Sequence, residues 1–148
     1  MPCLSGQYDP NIGLLINVAI LPIGVAPTPA QAPLSASQPP VLNVPQLFAA
    51  LIDTGATTTC ITTDVAQAVG IAPIGRREMI SATHTIDTNL YVADLLLPFG
   101  NMVFTMGGIQ LMEFAVQPGT PFQMLLGRDV ISRGVLTTSF DHTFTFSL

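Results

Sequence analysis

Apolar and polar residues alternate strictly at the end of the chain. Phe144, Phe146 and Leu148 fall on one side, and Thr143, Thr145 and Ser147 on the other. A period of two is that of a strand with one buried face. Elsewhere the apolar positions come in short runs bounded by Gly, Pro and polar clusters. Gly13 to Ile23, Leu47 to Ile52 and Met124 to Asp129 read as strands, the last halted by Gly127. Cys60-Ile61 makes a further short one. Glu78 to Leu97 reads as two strands around a polar turn, Ser81 to Asn89, which together form a long hairpin. Asn101 to Thr105 and Ile109 to Val116 read as two more, with Gly107-Gly108 as the turn between them.

Thr62 to Gly70 carries a helix signature instead. A Thr caps its start, Asp64 suits its first turn, and Gly70 suits its C-terminal stop. Val130 to Arg133 makes one more helical turn, ended by Gly134. Many short strands with Gly and Pro punctuation predict an all-β domain with one or two short helices. Ala26 to Gln46 breaks the pattern: it holds six prolines with Ala, Ser and Gln and no apolar period. It is expected to be a flexible insert between two strands of one domain spanning residues 1–148.

Composition narrows the class. The chain has 148 residues, enough to bury a real core, and is 49% hydrophobic with 9% charged residues. Net charge is −5, lysine is absent, and Arg76, Arg77, Arg128 and Arg133 form no basic stripe, which argues against nucleic acid as a partner. Cys3 and Cys60 give neither a disulfide framework nor a metal-ligand pattern, and His84 and His142 stand alone without ligand spacing. The long apolar run, Leu14 to Ala26, is interrupted by Asn17, Pro22 and Gly24 and is shorter than the roughly 20 residues of a membrane span. No basic residue precedes it, as a signal peptide requires, so a cytoplasmic location is expected.

The chemistry concentrates where the run Leu47 to Ile52 ends in Asp53-Thr54-Gly55. A carboxylate at the inner end of a buried strand is costly unless something neutralises or hydrogen-bonds it. There the Asp carries chemistry, the Thr hydroxyl anchors the turn, and the Gly lets backbone approach a ligand. The alternative is an ordinary turn or helix-cap aspartate.

Ala50-Leu51-Ile52-Asp53-Thr54-Gly55-Ala56, followed about seventy residues later by Leu125-Leu126-Gly127-Arg128-Asp129, resembles the retropepsin-like aspartic proteases. The resemblance covers most of the chain from Leu47 to Leu148. It implies a closed β-barrel, no metal or organic cofactor, and an aspartic endopeptidase acting on a polypeptide substrate. That chemistry needs two carboxylates sharing one proton, because like charges about 3 Å apart cannot both ionise. One activates a water while the other donates to the substrate carbonyl. A chain with one Asp-Thr-Gly takes the second Asp from a twin, so a homodimer with Asp53 on its axis is expected.

The resemblance also assigns roles. Thr54 bonds across the axis, Gly55 meets the substrate backbone, Ala56 keeps the floor shallow, and Cys60 and Leu125 line apolar side-chain pockets. The segment Ile80 to Thr85, with Ser81, Ala82 and Thr83, takes the place of the flap that closes over substrate. Thr143 to Leu148 joins an intersubunit sheet. Three departures stand out. Thr57 replaces the Asp that pairs with the Arg of Gly-Arg, which leaves Arg128 to find another partner as an interior anchor. The flap lacks glycines, and the proline-rich insert has no counterpart in compact retroviral enzymes. Asp129, at the start of a helical turn, reads as structural rather than catalytic. These departures leave a second expectation, a catalytically inactive peptide-binding or dimerisation module on the same fold.

Overall fold

A computed structural model describes residues 3–24, 46–100 and 102–148. The proline-rich insert lies outside the described residues, apart from Gln46. In chain order the elements are β1 (Cys3–Gln7), β2 (Leu15–Leu21), β3 (Leu47–Ile52), β4 (Cys60–Ile61), α1 (Thr63–Val69), β5 (Gly75–Ile80), β6 (Thr85–Phe99), β7 (Met102–Glu113), β8 (Met124–Leu126), α2 (Arg128–Ile131), β9 (Val135–Thr138) and β10 (Thr143–Ser147).

Six strands in the order β2-β3-β8-β4-β7-β6 close on themselves through a β2–β6 pairing, which makes the all-β retropepsin-like barrel. β3–β8 and β4–β7 run parallel, and the other barrel pairs antiparallel. Closure leaves these strands no free edge where they pair, and their inward side chains form the core. Val18, Ala50, Ile61, Leu95, Leu111, Met124 and Leu126 are all buried there. β6 changes neighbours along its length: one edge follows β7, while the other pairs with β5 over Thr85–Leu90 and with β2 over Asp94–Leu96. β5 therefore stands outside the barrel as one arm of a projecting hairpin.

α1 has the caps its sequence promised. The Thr62 hydroxyl accepts from the Val65 N–H at 3.4 Å, and Gly70 takes the left-handed conformation at φ 79°. Two expected turns differ in the structure. The hairpin turn is only Ser81–His84, because Thr85–Asn89 pair with Arg76–Ile80. Thr85–Asp87 are exposed on both faces and the one buried residue of the segment, Thr88, is polar, so no apolar alternation betrays the strand. Gly107 and Gly108 make no turn: β7 runs through them, with a bulge opposite Ala93–Leu95. Gly108 has φ 66° and its N–H donates to Asp94 Oδ1 at 2.8 Å. The glycines bend the strand next to where β6 switches partner.

A second sheet, β1-β10-β9, packs Phe144 and Phe146 into the same core, and the Phe146 ring lies 6.4 Å from that of Phe99. Both edges of β10 are thus occupied within the chain. This corrects the expectation that Thr143–Leu148 is free to join an intersubunit sheet. Neither neighbour shows in the sequence: Cys3–Gln7 has one apolar side chain facing the core, and Val135–Thr138 is mostly exposed. Among the described residues, no helix is long and apolar enough to cross a membrane.

Candidate active site

Strand β3 delivers Asp53 to the site. Its parallel pairing with β8 continues one residue beyond Ile52, as the Asp53 N–H donates to the Leu126 carbonyl at 2.9 Å. The chain then turns, and the Gly55 N–H donates to Asp53 Oδ1 at 2.9 Å. A Cβ on residue 55 would sit 3.2 Å from that oxygen, so glycine lets the backbone close around the carboxylate.

The turn is clasped from below by the segment that follows β8. The Arg128 N–H donates to the Ala56 carbonyl at 2.9 Å, and the Asp129 N–H to the Thr57 carbonyl at 3.3 Å. The Asp129 carboxylate accepts from the Thr59 N–H at 3.0 Å and from its hydroxyl at 2.8 Å. That hydroxyl in turn accepts from the Gly127 N–H at 3.1 Å. Thr59 is 0% exposed, so the bonds of its own N–H and hydroxyl answer buried polar groups. Asp129 is structural here. Arg128 finds its partner in Thr57, its Nη2 donating to the Thr57 hydroxyl at 3.0 Å. The pair is exposed, so Arg128 is a surface brace and not the interior anchor expected.

Above this floor lies a cleft of about 570 Å³. Asp53, Gly55, Ala56, Cys60 and Leu125 line its floor and wall, and Ser81 with Arg77–Ile80 lines it from the hairpin. Thr54 is exposed beside Asp53 and does not line it. Ala82 and Thr83, expected among the substrate-contacting residues, stand outside the lining as well. The tip folds on itself: the Ser81 hydroxyl donates to the His84 carbonyl at 2.9 Å and accepts from the His84 N–H at 3.1 Å. Ala82 and Thr83 are carried out into solvent by that turn.

Sequence reasoning missed Met112 and Phe114, which complete the apolar wall. They arrive through the parallel pairing of Cys60 with Met112, a contact without a local signal. Arg77 was missed because its strand was expected to begin only at Glu78, and Glu78 because nothing next to it in the sequence marks a cleft.

Cys60 is buried, and burial pushes its thiol up to about 12, with the Asp129 and Asp53 carboxylates adding to the rise. Its Sγ donates to the Thr58 carbonyl at 3.3 Å. It stays protonated and serves as a small wall residue. Beyond Phe114, Glu113 is held below the usual carboxylate range by the Tyr91 hydroxyl, against the opposing effect of burial and with help from Asn89. Burial, then Glu113, pushes the Tyr91 hydroxyl up to about 12. Among the described residues, no group of three or more His, Cys, Asp or Glu side chains is placed to hold a metal.

A six-strand barrel, an Asp-Thr-Gly turn at the end of a barrel strand and a Gly-Arg-Asp segment clasping that turn define a retropepsin-like fold. The crystal structure of a retropepsin-like aspartic protease from Rickettsia conorii is similar, with a TM-score of 0.58 and 13% identity over 97% of this chain and 89% of that one. A family model described as aspartyl protease matches residues 43–130. The chain belongs to the aspartyl protease family. No curated protein sequence matches it.

Proposed function

We propose that this chain is an aspartic endopeptidase that works as a homodimer, with Asp53 of each copy sharing one proton. The observation that carries this reading is the position of Asp53: its carboxylate lines the cleft floor with Oδ1 bonded to the Gly55 N–H. The other carboxyl residue of the lining, Glu78, belongs to the hairpin, so the floor of one chain supplies half of the required pair. In the proposed dimer one Asp53 takes a proton from the attacking water and the other donates to the scissile carbonyl. Thr54, exposed beside Asp53, bonds across the axis. Gly55 and Ala56 form the floor under the substrate backbone. Cys60, Leu125, Met112 and Phe114 favour apolar side chains next to the scissile bond.

The test is a peptide library incubated with the purified chain, with and without a statine-type inhibitor, alongside sedimentation of the same sample. Inhibitor-sensitive cleavage by a dimer is expected. Asp53→Asn is expected to lower kcat/KM at least about a thousandfold, since it removes the shared proton on which both proton transfers depend. An Asp53→Asn protein with full activity overturns the proposal. Peptide binding without any cleavage would instead support the inactive binding module.

A further inference from the structure

Among the described residues β5 is the last strand of its sheet and bonds to β6 along one edge only. Arg77, Glu78, Met79, Ile80 and Ser81 all line the cleft, not merely alternate ones. Side chains of a strand alternate between faces, so an unbroken lining means that the free edge of β5 looks into the cleft. An extended peptide aligns along such an edge. Arg77 stands at the end of this lining farthest from the hairpin tip. From Ser81 back to Arg77 a strand advances about 13 Å.

Arg77 is the one cation in a lining otherwise made of apolar and small residues and the carboxyl groups of Asp53 and Glu78. Its Nη1 donates to Gln110 Oε1 at 3.0 Å. A neutral amide orients the guanidinium without compensating its charge. A guanidinium carries five N–H donors, so most of the fork stays open to a carboxylate. Glu78 leaves the strand on the opposite face. The other arginines are engaged elsewhere: Arg76 donates to the Asp87 carbonyl at 3.0 Å, Arg128 to Thr57, and Arg133 to the Asp129 carbonyl at 3.2 Å. On a chain of net charge −5, Arg77 is a local exception inside the cleft.

Resting on the reading of this cleft as a peptide site, we infer that Arg77 selects peptides carrying Glu or Asp several residues from the scissile bond. The contact is a forked, charge-assisted pair. In a two-fold dimer each half of the cleft has its own Arg77, so the preference extends to both sides of that bond.

The test measures binding to the Asp53→Asn chain, which separates recognition from turnover. The probes are fluorescent decapeptides with an apolar centre, bearing Glu or its uncharged isostere Gln at each flanking position in turn. At one or more positions the Glu peptide is expected to bind about fivefold more tightly, with the advantage shrinking as salt is raised. Adding Arg77→Gln brings the ratio to about one, Arg77→Glu inverts it toward a Lys peptide, and Arg77→Lys retains part of it. Equal binding of Glu and Gln peptides by the Asp53→Asn chain overturns the inference, and that measurement needs no Arg77 variant to fold. A Glu preference that survives Arg77→Gln overturns it too. Binding of no peptide at all rejects the peptide-site reading together with it. The predicted preference without cleavage by the wild-type chain rejects only the endopeptidase and leaves Arg77 standing.

Discussion

Around Asp53 two segments about seventy residues apart are laced together through Thr59, Gly127 and Asp129. Among the described residues, the tip of the facing hairpin, Ser81–His84, is bonded only to itself. Thr59 in the floor is 0% exposed, whereas Ile80 on the hairpin is 76% exposed. The two regions face one cleft, yet one is fixed from several directions and the other from its base. A group that must meet reacting atoms at a set distance gains from cross-linking, because its position is settled before substrate arrives. A strand that must admit a polypeptide and then cover it gains from having few partners to break.

Substitutions sharpen this contrast, and the largest effect belongs to the floor. A Cβ at position 127 would sit 2.6 Å from the Thr58 carbonyl carbon, which is backbone and does not yield as a side chain does. Gly127→Ala is expected to cost about 2–4 kcal/mol in urea unfolding at one fixed protein concentration. The proposed peptide cleavage should be lost with it, because the displaced Thr58–Thr59 backbone closes the turn that Asp53 opens.

Asp129→Ala comes next. It leaves the buried N–H and hydroxyl of Thr59 without their acceptor, at an expected cost of about 2–3 kcal/mol in the same measurement. An unchanged midpoint would mean that the clasp contributes nothing and that the contrast with the hairpin is empty. Ser81→Ala, at the hairpin tip, should change stability by less than about 1 kcal/mol. Its effect should appear in KM more than in the unfolding midpoint. If Ser81→Ala destabilises the chain as much as Asp129→Ala, the hairpin is no loosely held lid.

Much of this was legible in the residues. Thr62 and Gly70 mark both ends of α1 because capping is local chemistry: a hydroxyl meets an N–H three residues on, and a glycine takes a left-handed turn. Leu47–Ile52 was legible for a similar reason: it is an unbroken apolar run, with Phe48, Ala50 and Ile52 buried on one face and Ala49 and Leu51 half-buried on the other. The hairpin turn was drawn too long because Thr85–Asn89 lacks a buried face over most of its length to impose a pattern. Gly107-Gly108 misled because a bulge and a turn demand the same residue.

The chain itself determined the strand-rich class, the helix caps, the Asp53 turn and the Gly-Arg-Asp segment, because each rests on neighbours within a few residues. Only the tertiary structure decided that Arg128 braces Thr57, that Asp129 holds Thr59, and that Met112 and Phe114 wall the cleft. Only it decided that β10 is sealed on both edges by β1 and β9. Each of these joins residues far apart in the chain. Their register is set by closure of the barrel and shared burial, which no local period encodes.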